Sequence, residues 1–221
     1  KLAREALDIP YVAIPHFLDP AASNAFAKGA LDPVFFAPNQ AQVLTNEQIA
    51  LGRRLFYDPV LSYNGQRSCA TCHQPQRAFT DGLKTPASLQ GEAPVVRNTP
   101  TILNAALQPG QFYDMRVAYL EDQVNMVVHN KAEMHGDLQG AAMKLKKESG
   151  YQQLFKDAFF ITPQEINSYR IQQAIAAYIR SLTMLNSPFD AFMRGDSTQL
   201  TRAAKRGFNL FMGKAKCGTC H

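Results

Sequence analysis

Cys69-Ala-Thr-Cys72-His73 sets two thiols one turn apart, with an imidazole directly after the second. That spacing suits covalent attachment of a c-type haem: the thiols form thioethers to the porphyrin vinyl groups, and the imidazole becomes an axial ligand of the iron. Cys217-Gly-Thr-Cys220-His221 repeats the pattern, and all 4 cysteines of the chain fall in these two motifs. A Cys-x-x-Cys pair is also compatible with a redox dithiol, a zinc knuckle or a disulfide. A thioredoxin-like dithiol opens a helix after a hydrophobic strand, and neither pair follows one. Two pairs together can supply four ligands to a structural zinc, but that leaves the histidine after each pair without a role. Two covalent haem c groups account for all six residues: Cys69, Cys72 and His73 for one, Cys217, Cys220 and His221 for the other.

Each motif needs an element that delivers it. Thr45-Asn-Glu-Gln48 has the form of a capping box, and Ile49, Leu55 and Phe56 continue a helix that Asp58-Pro59 ends. Gly52 on that helix allows close contact with another. Leu200-Thr201 and Gly207-Phe-Asn-Leu210-Phe211 echo Leu44-Thr45 and Gly52-Arg-Arg-Leu55-Phe56. This reads as an internal duplication, in which a Gly-x-x-Leu-Phe helix twice leads into a haem motif. Residues 74–112 are rich in proline and glycine and read as loop. Helices are expected over Leu120–His129 and Leu138–Glu148. Thr162-Pro163-Gln164-Glu165 reads as a second capping box with proline at the first helical position. The helix it opens carries the stripe Ile171, Ala174, Ile175, Tyr178 and Leu182, and Ser187-Pro188-Phe189-Asp190 is expected to end it.

The expected fold is mostly α, with two cytochrome c-like haem domains. Residues 1–43, broken by Pro10, Pro15, Pro20, Pro33 and Pro38, read as an irregular N-terminal extension. Residues 44–196 form the first haem domain, and 197–221 begin a second that is cut short. A c-type domain wraps its haem with sequence that follows the attachment motif, so the polypeptide is expected to continue past His221.

At 221 residues and 46% hydrophobic, the chain can bury a substantial core. Its net charge of +5 is dispersed, and the densest basic group, Lys144, Lys146 and Lys147, reads as a solvated helix face. Nucleic acid is therefore not an expected partner. No apolar run reaches the roughly 18 residues of a membrane span. Covalent haem attachment in bacteria is completed outside the cytoplasm, and the first residue is Lys1 rather than Met. Together these suggest a processed, exported chain, with the periplasm as the expected compartment.

The run Leu51-Gly-Arg-Arg-Leu-Phe-Tyr-Asp-Pro-Val-Leu-Ser62, followed by Ser68-Cys-Ala-Thr-Cys-His73 and Ala78-Phe-Thr-Asp-Gly82, resembles the bacterial di-haem cytochrome c peroxidases and their MauG-type relatives. Arg97-Asn-Thr-Pro-Thr-Ile-Leu-Asn-Ala105, Phe112-Tyr-Asp-Met-Arg116, Leu120-Glu-Asp-Gln123, Glu133-Met134 and Ser187-Pro-Phe-Asp190 extend the likeness over residues 44–221.

The resemblance implies that the first haem is the peroxide site and that the second relays electrons to it. It makes His73 and His221 the proximal ligands of the two irons, and Gln123 and Glu133 the polar pair on the open face of the first. It makes Asn98 a ligand of a calcium ion. Tyr113 stands where a tryptophan usually lies between the haems, and Val127 where the distal pocket commonly has proline. In this scheme Glu133 moves a proton between the peroxide oxygens as general acid and base, and Gln123 orients the peroxide without titrating.

Many such peroxidases carry a histidine after the first motif that blocks the iron. Here no histidine lies between His73 and His129, which implies a first haem open from the start. His129 and His135 flank the distal segment and read as surface or supporting residues; His16 reads as structural or exposed. The implied activity is reduction of hydrogen peroxide to water, with electrons from a small cytochrome c or a cupredoxin. The rival is a MauG-type enzyme that oxidises tryptophan or tyrosine of a partner protein. A third reading, a di-haem electron carrier, has no use for polar groups over an open iron. A homodimer is the self-association to test for.

Overall fold

The computed structural model describes residues 44–89, 94–184, 187–193 and 196–219. The extension expected over 1–43, His16 within it, and both Cys220 and His221 lie outside the described residues.

Helix α1 (Asn46–Tyr57) starts where the capping box places it. The Thr45 hydroxyl accepts from the Gln48 amide at 3.1 Å, and the Gln48 side chain accepts from the Thr45 amide at 3.4 Å. It stops where Asp58 turns extended before Pro59. A 3₁₀ turn, Pro59–Leu61, and the loop 62–68 then lead to α2 (Cys69–Cys72), the single helical turn that carries the first motif. From 73 to 119 the described chain is loop with two 3₁₀ turns, as its proline and glycine content suggested. Four longer helices follow: α3 (Leu120–His129), α4 (Leu138–Leu145), α5 (Ser149–Phe159) and α6 (Ser168–Ser181).

The core lies where α6 packs against α1, α3 and α4, while α5 covers the other side of α1. All five members of the α6 stripe, Ile171, Ala174, Ile175, Tyr178 and Leu182, are buried, facing Leu51, Leu55 and Phe56 of α1. The crossing is close because Gly52 lacks a side chain: a Cβ there would lie 1.8 Å from the carbonyl oxygen of Ala174. Among the described residues the only bridges are the isolated antiparallel pairs Gln74–Thr80 and Gln111–Val117, so the fold is helical without a sheet.

Three boundaries differ from the sequence reading. The Thr162–Glu165 capping box is real, with the Glu165 carboxylate accepting from the Thr162 amide at 2.8 Å, but it closes only a 3₁₀ turn, Pro163–Glu165. Helix α6 begins later, capped by Asn167, whose side chain accepts from the Arg170 amide at 3.1 Å. The helix expected to reach Glu148 ends at Leu145, and Glu148 instead precedes α5, whose apolar positions Tyr151, Phe155 and Ala158 recur at helical spacing. Ser187-Pro-Phe-Asp190 does not terminate α6, which ends at Ser181. It opens a new short helix, α7 (Pro188–Met193), in which Ser187 and Asp190 cap each other. The echo of the first unit is seen again in α8 (Arg202–Met212), where Thr201 takes the role of Thr45 and accepts from the Ala204 amide at 3.2 Å.

A buried ion pair joins α3 to α6. Both guanidinium nitrogens of Arg180 donate to the two carboxylate oxygens of Glu121, at 2.7 and 2.9 Å. A charge in the middle of a buried helix face is tolerable only with a partner of this geometry.

Candidate haem site

Two loops meet beside α2, one holding His73 and the other holding Glu133. In α2 the Ser68 amide donates to the Thr71 hydroxyl at 3.0 Å, and the His73 amide donates to the Cys69 carbonyl at 2.9 Å. That closed turn puts Cys69 and His73 on one face. Neither Cys69 nor Cys72 is in a disulfide.

The His73 ring is oriented by its own loop. Ala78 and Phe79 both adopt left-handed backbone angles, with φ of 51° and 59°, which turns the chain back on itself. The Phe79 amide then donates to Gln74 at 2.8 Å, and the Phe79 carbonyl accepts from His73 Nδ1 at 2.9 Å. With Nδ1 as the donor, Nε2 carries the free lone pair, which is the state a metal ligand requires. Burial pushes the imidazole below its ordinary pKa, against opposing contributions from the Phe79 carbonyl and the nearby Asp81 carboxylate, and so favours the neutral form. Phe56 of α1 packs near it, with ring centroids 6.4 Å apart.

The thiols are equally informative. Burial pushes Cys69 up to about 12, and burial also raises Cys72, with the nearby Arg67 guanidinium opposing. A redox dithiol works through a thiolate of lowered pKa, and these shifts run the other way. Two unoxidised thiols on one turn, followed by an imidazole whose Nδ1 is held on the Phe79 carbonyl, fit the attachment of a haem.

The second loop, 130–136, is tied to the segments that flank the motif and its loop. The Tyr63 amide donates to the Met134 carbonyl at 3.1 Å, and Leu89 donates to Ala132 at 3.3 Å. Gly136 approaches so closely that a Cβ would lie 1.9 Å from the Leu61 carbonyl oxygen. Arg67 completes the tie: Nη1 donates to the Glu133 main-chain oxygen at 3.2 Å and Nη2 to the Ser88 oxygen at 2.6 Å, while its amide donates to the Ser62 hydroxyl.

The Glu133 side chain lines a cleft of about 350 Å³ together with Arg116, Phe112, His129 and Asn130. Burial raises its pKa, opposed by Arg116 and by a hydrogen bond from Asn130. Arg116 is held by Asp114 at 2.6 Å and lies over the Phe112 ring, 3.6 Å from its centroid. Glu133 is close enough to raise the pKa of the Cys72 thiol, so the carboxyl and the attachment motif share one neighbourhood.

Other residues singled out from the sequence are more scattered. Gln123 is half-buried on α3, outside the wall of the Glu133 cleft. Tyr113 is 90% exposed at the tip of the 111–117 loop, with the Arg97 guanidinium 5.6 Å from its ring centroid. Asn98 is exposed, beside Thr99, which is buried. Val127 lines the Glu133 cleft. His129 is exposed on the cleft rim with Nδ1 on the Asn125 carbonyl at 2.8 Å, and His135 stacks on Tyr63 at 5.0 Å. Cys217 lies in a 3₁₀ turn, Cys217–Thr219, after α8. The sequence reading gave no role to Arg67, Asp81 or Arg116. Only the placement of Arg67, two residues before Cys69, hinted at one.

The helical fold sets a Cys-x-x-Cys-His turn, the spacing of c-type haem attachment, near a cleft lined by a carboxyl. The family model for di-haem cytochrome c peroxidase matches residues 46–198, and the chain belongs to that family. It is 40% identical over 182 residues to the methylamine utilization protein MauG of Methylorubrum extorquens, covering 82% of this chain and 51% of that one. It is 35% identical over 176 residues to the cytochrome c peroxidase Ccp of Escherichia coli, covering 79% and 37%. Among solved structures, a MauG-like protein associated with microbial copper homeostasis superposes with a TM-score of 0.73 at 32% identity, covering 81% of this chain and 53% of that one. The chain thus spans about half the length, or less, of the relatives it matches. Among the described residues no helix is long and apolar enough to cross a membrane.

Proposed function

We propose that this chain forms the peroxide-handling part of a periplasmic di-haem enzyme. It would reduce hydrogen peroxide to water with electrons drawn from a small cytochrome c or cupredoxin through the second haem. The observation that carries this reading is the Arg67 tie, which joins the lead-in of the attachment motif to the loop bearing a half-buried carboxyl. Family membership and the named peroxidase among the relatives support it.

Cys69 and Cys72 would hold the haem through thioethers and His73 through Nε2; Cys217, Cys220 and His221 would hold the second. The iron, when bound, supplies the redox chemistry of oxygen–oxygen cleavage. The chain supplies proton management and orientation. Glu133 would accept a proton from peroxide and return it to the departing oxygen, which leaves as water. Its raised pKa suits both halves of that transfer. Gln123, which does not titrate, would orient the peroxide from α3, and Tyr113 would serve as an electron relay between the haems. Asn98 contributes to a calcium site.

A MauG-type role, oxidation of tryptophan or tyrosine on a partner protein, is the second reading. It is supported by the 40% identity to a MauG protein and by the lack of histidine between His73 and His129. Steady peroxide-dependent oxidation of a reduced small cytochrome c by the full-length holoprotein supports the first reading. Failure of that oxidation, with peroxide-dependent modification of tryptophan or tyrosine in a partner, replaces it with the second.

A further inference from the structure

The proximal loop contains a charge that the proposed mechanism does not use. Asp81 is 5% exposed, and its carboxylate accepts from the Leu83 amide and the Thr99 hydroxyl, each at 3.0 Å. Its main-chain oxygen accepts from Arg77 Nη1, so the arginine meets the backbone at this residue. Among the described residues no ion pair involves the Asp81 carboxylate. A buried carboxylate held only by neutral donors is costly, and a neutral side chain of the same shape would avoid that cost.

Its position says what the charge acts on. Asp81 lies two residues beyond Phe79, whose carbonyl accepts from His73 Nδ1, and the Gln74–Thr80 bridge locks the loop between them. Its field reaches both the His73 imidazole and the Cys72 thiol. We propose that Asp81 is a positioning residue for charge: through His73 it lowers the reduction potential of the haem held there and so favours the oxidised iron. This rests on the reading of His73 as an axial ligand. A negative charge beside an axial imidazole makes it a stronger electron donor, and charges around the ligands are among the levers by which a protein sets a haem potential. The bland reading is that Asp81 merely pins the 97–101 segment through Thr99.

Spectroelectrochemical titration of the full-length holoprotein separates the two readings. Asp81→Asn keeps the shape, with its amide oxygen facing Leu83 and its amide nitrogen facing Thr99, and removes only the charge. In that variant the one-electron wave of the His73 haem is expected to rise until the reduced-to-oxidised ratio at a fixed potential is about tenfold higher, roughly 59 mV. Thr99→Val removes the hydrogen bond and keeps the charge, and it should change that ratio by less than about threefold. Asp81→Ser, neutral and smaller, is a second charge-removing variant and should rise with Asp81→Asn. An unmoved wave in both neutral variants, or an equal rise in Thr99→Val, overturns the proposal. Absence of covalent haem at Cys69 and Cys72 in the unmutated protein would instead overturn the reading of His73, so the two failures are distinguishable.

Discussion

Arg67 donates to the main-chain oxygen of Glu133 at 3.2 Å, joining the segment two residues ahead of the first attachment cysteine to the carboxyl-bearing loop. The same guanidinium holds Ser88 at 2.6 Å. A planar fork can satisfy two carbonyls in fixed directions, whereas an ammonium acts as a point charge. Arg67→Lys is therefore expected to retain haem and lose about 10- to 100-fold in the rate with peroxide, the scale set by a misplacement of about 1 Å. Stopped-flow kinetics at matched haem content checks this. Unchanged kinetics in Arg67→Lys and Arg67→Ala would remove the tie from the account.

Glu133→Gln is expected to slow peroxide cleavage by about 100-fold or more, the scale of a positioned general acid or base. Burial raises the pKa of this carboxyl, so the acid limb of the unmutated enzyme should lie above the ordinary carboxylate range. The stability sign follows from the same shift. Folding favours the protonated form, so the contribution is fully present below the unfolded pKa and is lost as pH rises through the folded one. At neutral pH Glu133→Gln should therefore be as stable as the unmutated protein or more so, an advantage that vanishes in acid. Denaturant melts at two pH values measure it.

The Arg180–Glu121 pair should show strong non-additivity. Glu121→Leu or Arg180→Met alone removes one half of the buried pair and is expected to cost about 3–5 kcal/mol. The double variant Glu121→Leu with Arg180→Met should recover most of that loss. A double-mutant cycle by guanidinium unfolding reads the coupling, and additive losses would contradict the burial argument.

Gly52→Ala inserts a methyl group 1.8 Å from the Ala174 oxygen, where backbone must move. Overpacking of this kind costs about 1–3 kcal/mol or more, and a lowered Tm with a disturbed His73 environment is expected, because Phe56 on the same helix packs against that ring. Gly207→Ala on α8, where a Cβ meets nothing within 4 Å among the described residues, should leave the stability of the 44–184 region unchanged.

The fold was legible wherever local chemistry decided it. Thr45 and Gln48 set the start of α1, and the apolar stripe through Ile171 and Tyr178 marked α6, because capping and periodicity are written in neighbouring residues. The Thr162 box misled by five residues because Asn167 offers a competing cap just beyond it. Helix α5 was missed although Tyr151, Leu154, Phe155 and Ala158 recur at helical spacing, because no capping signature marks its start. At the site, Cys69, Cys72 and His73 announced themselves by spacing, and Glu133 only through resemblance. Arg67, Asp81 and Arg180 were invisible because their partners lie 66, 18 and 59 positions away, and no local pattern reports such contacts.

The most direct test is the electron paramagnetic resonance spectrum of the ferric full-length holoprotein, compared with that of His73→Gly. The account predicts a high-spin component from an iron that His73 binds on one side only, lost or altered in His73→Gly. A spectrum in which every ferric haem is low-spin and six-coordinate would contradict it.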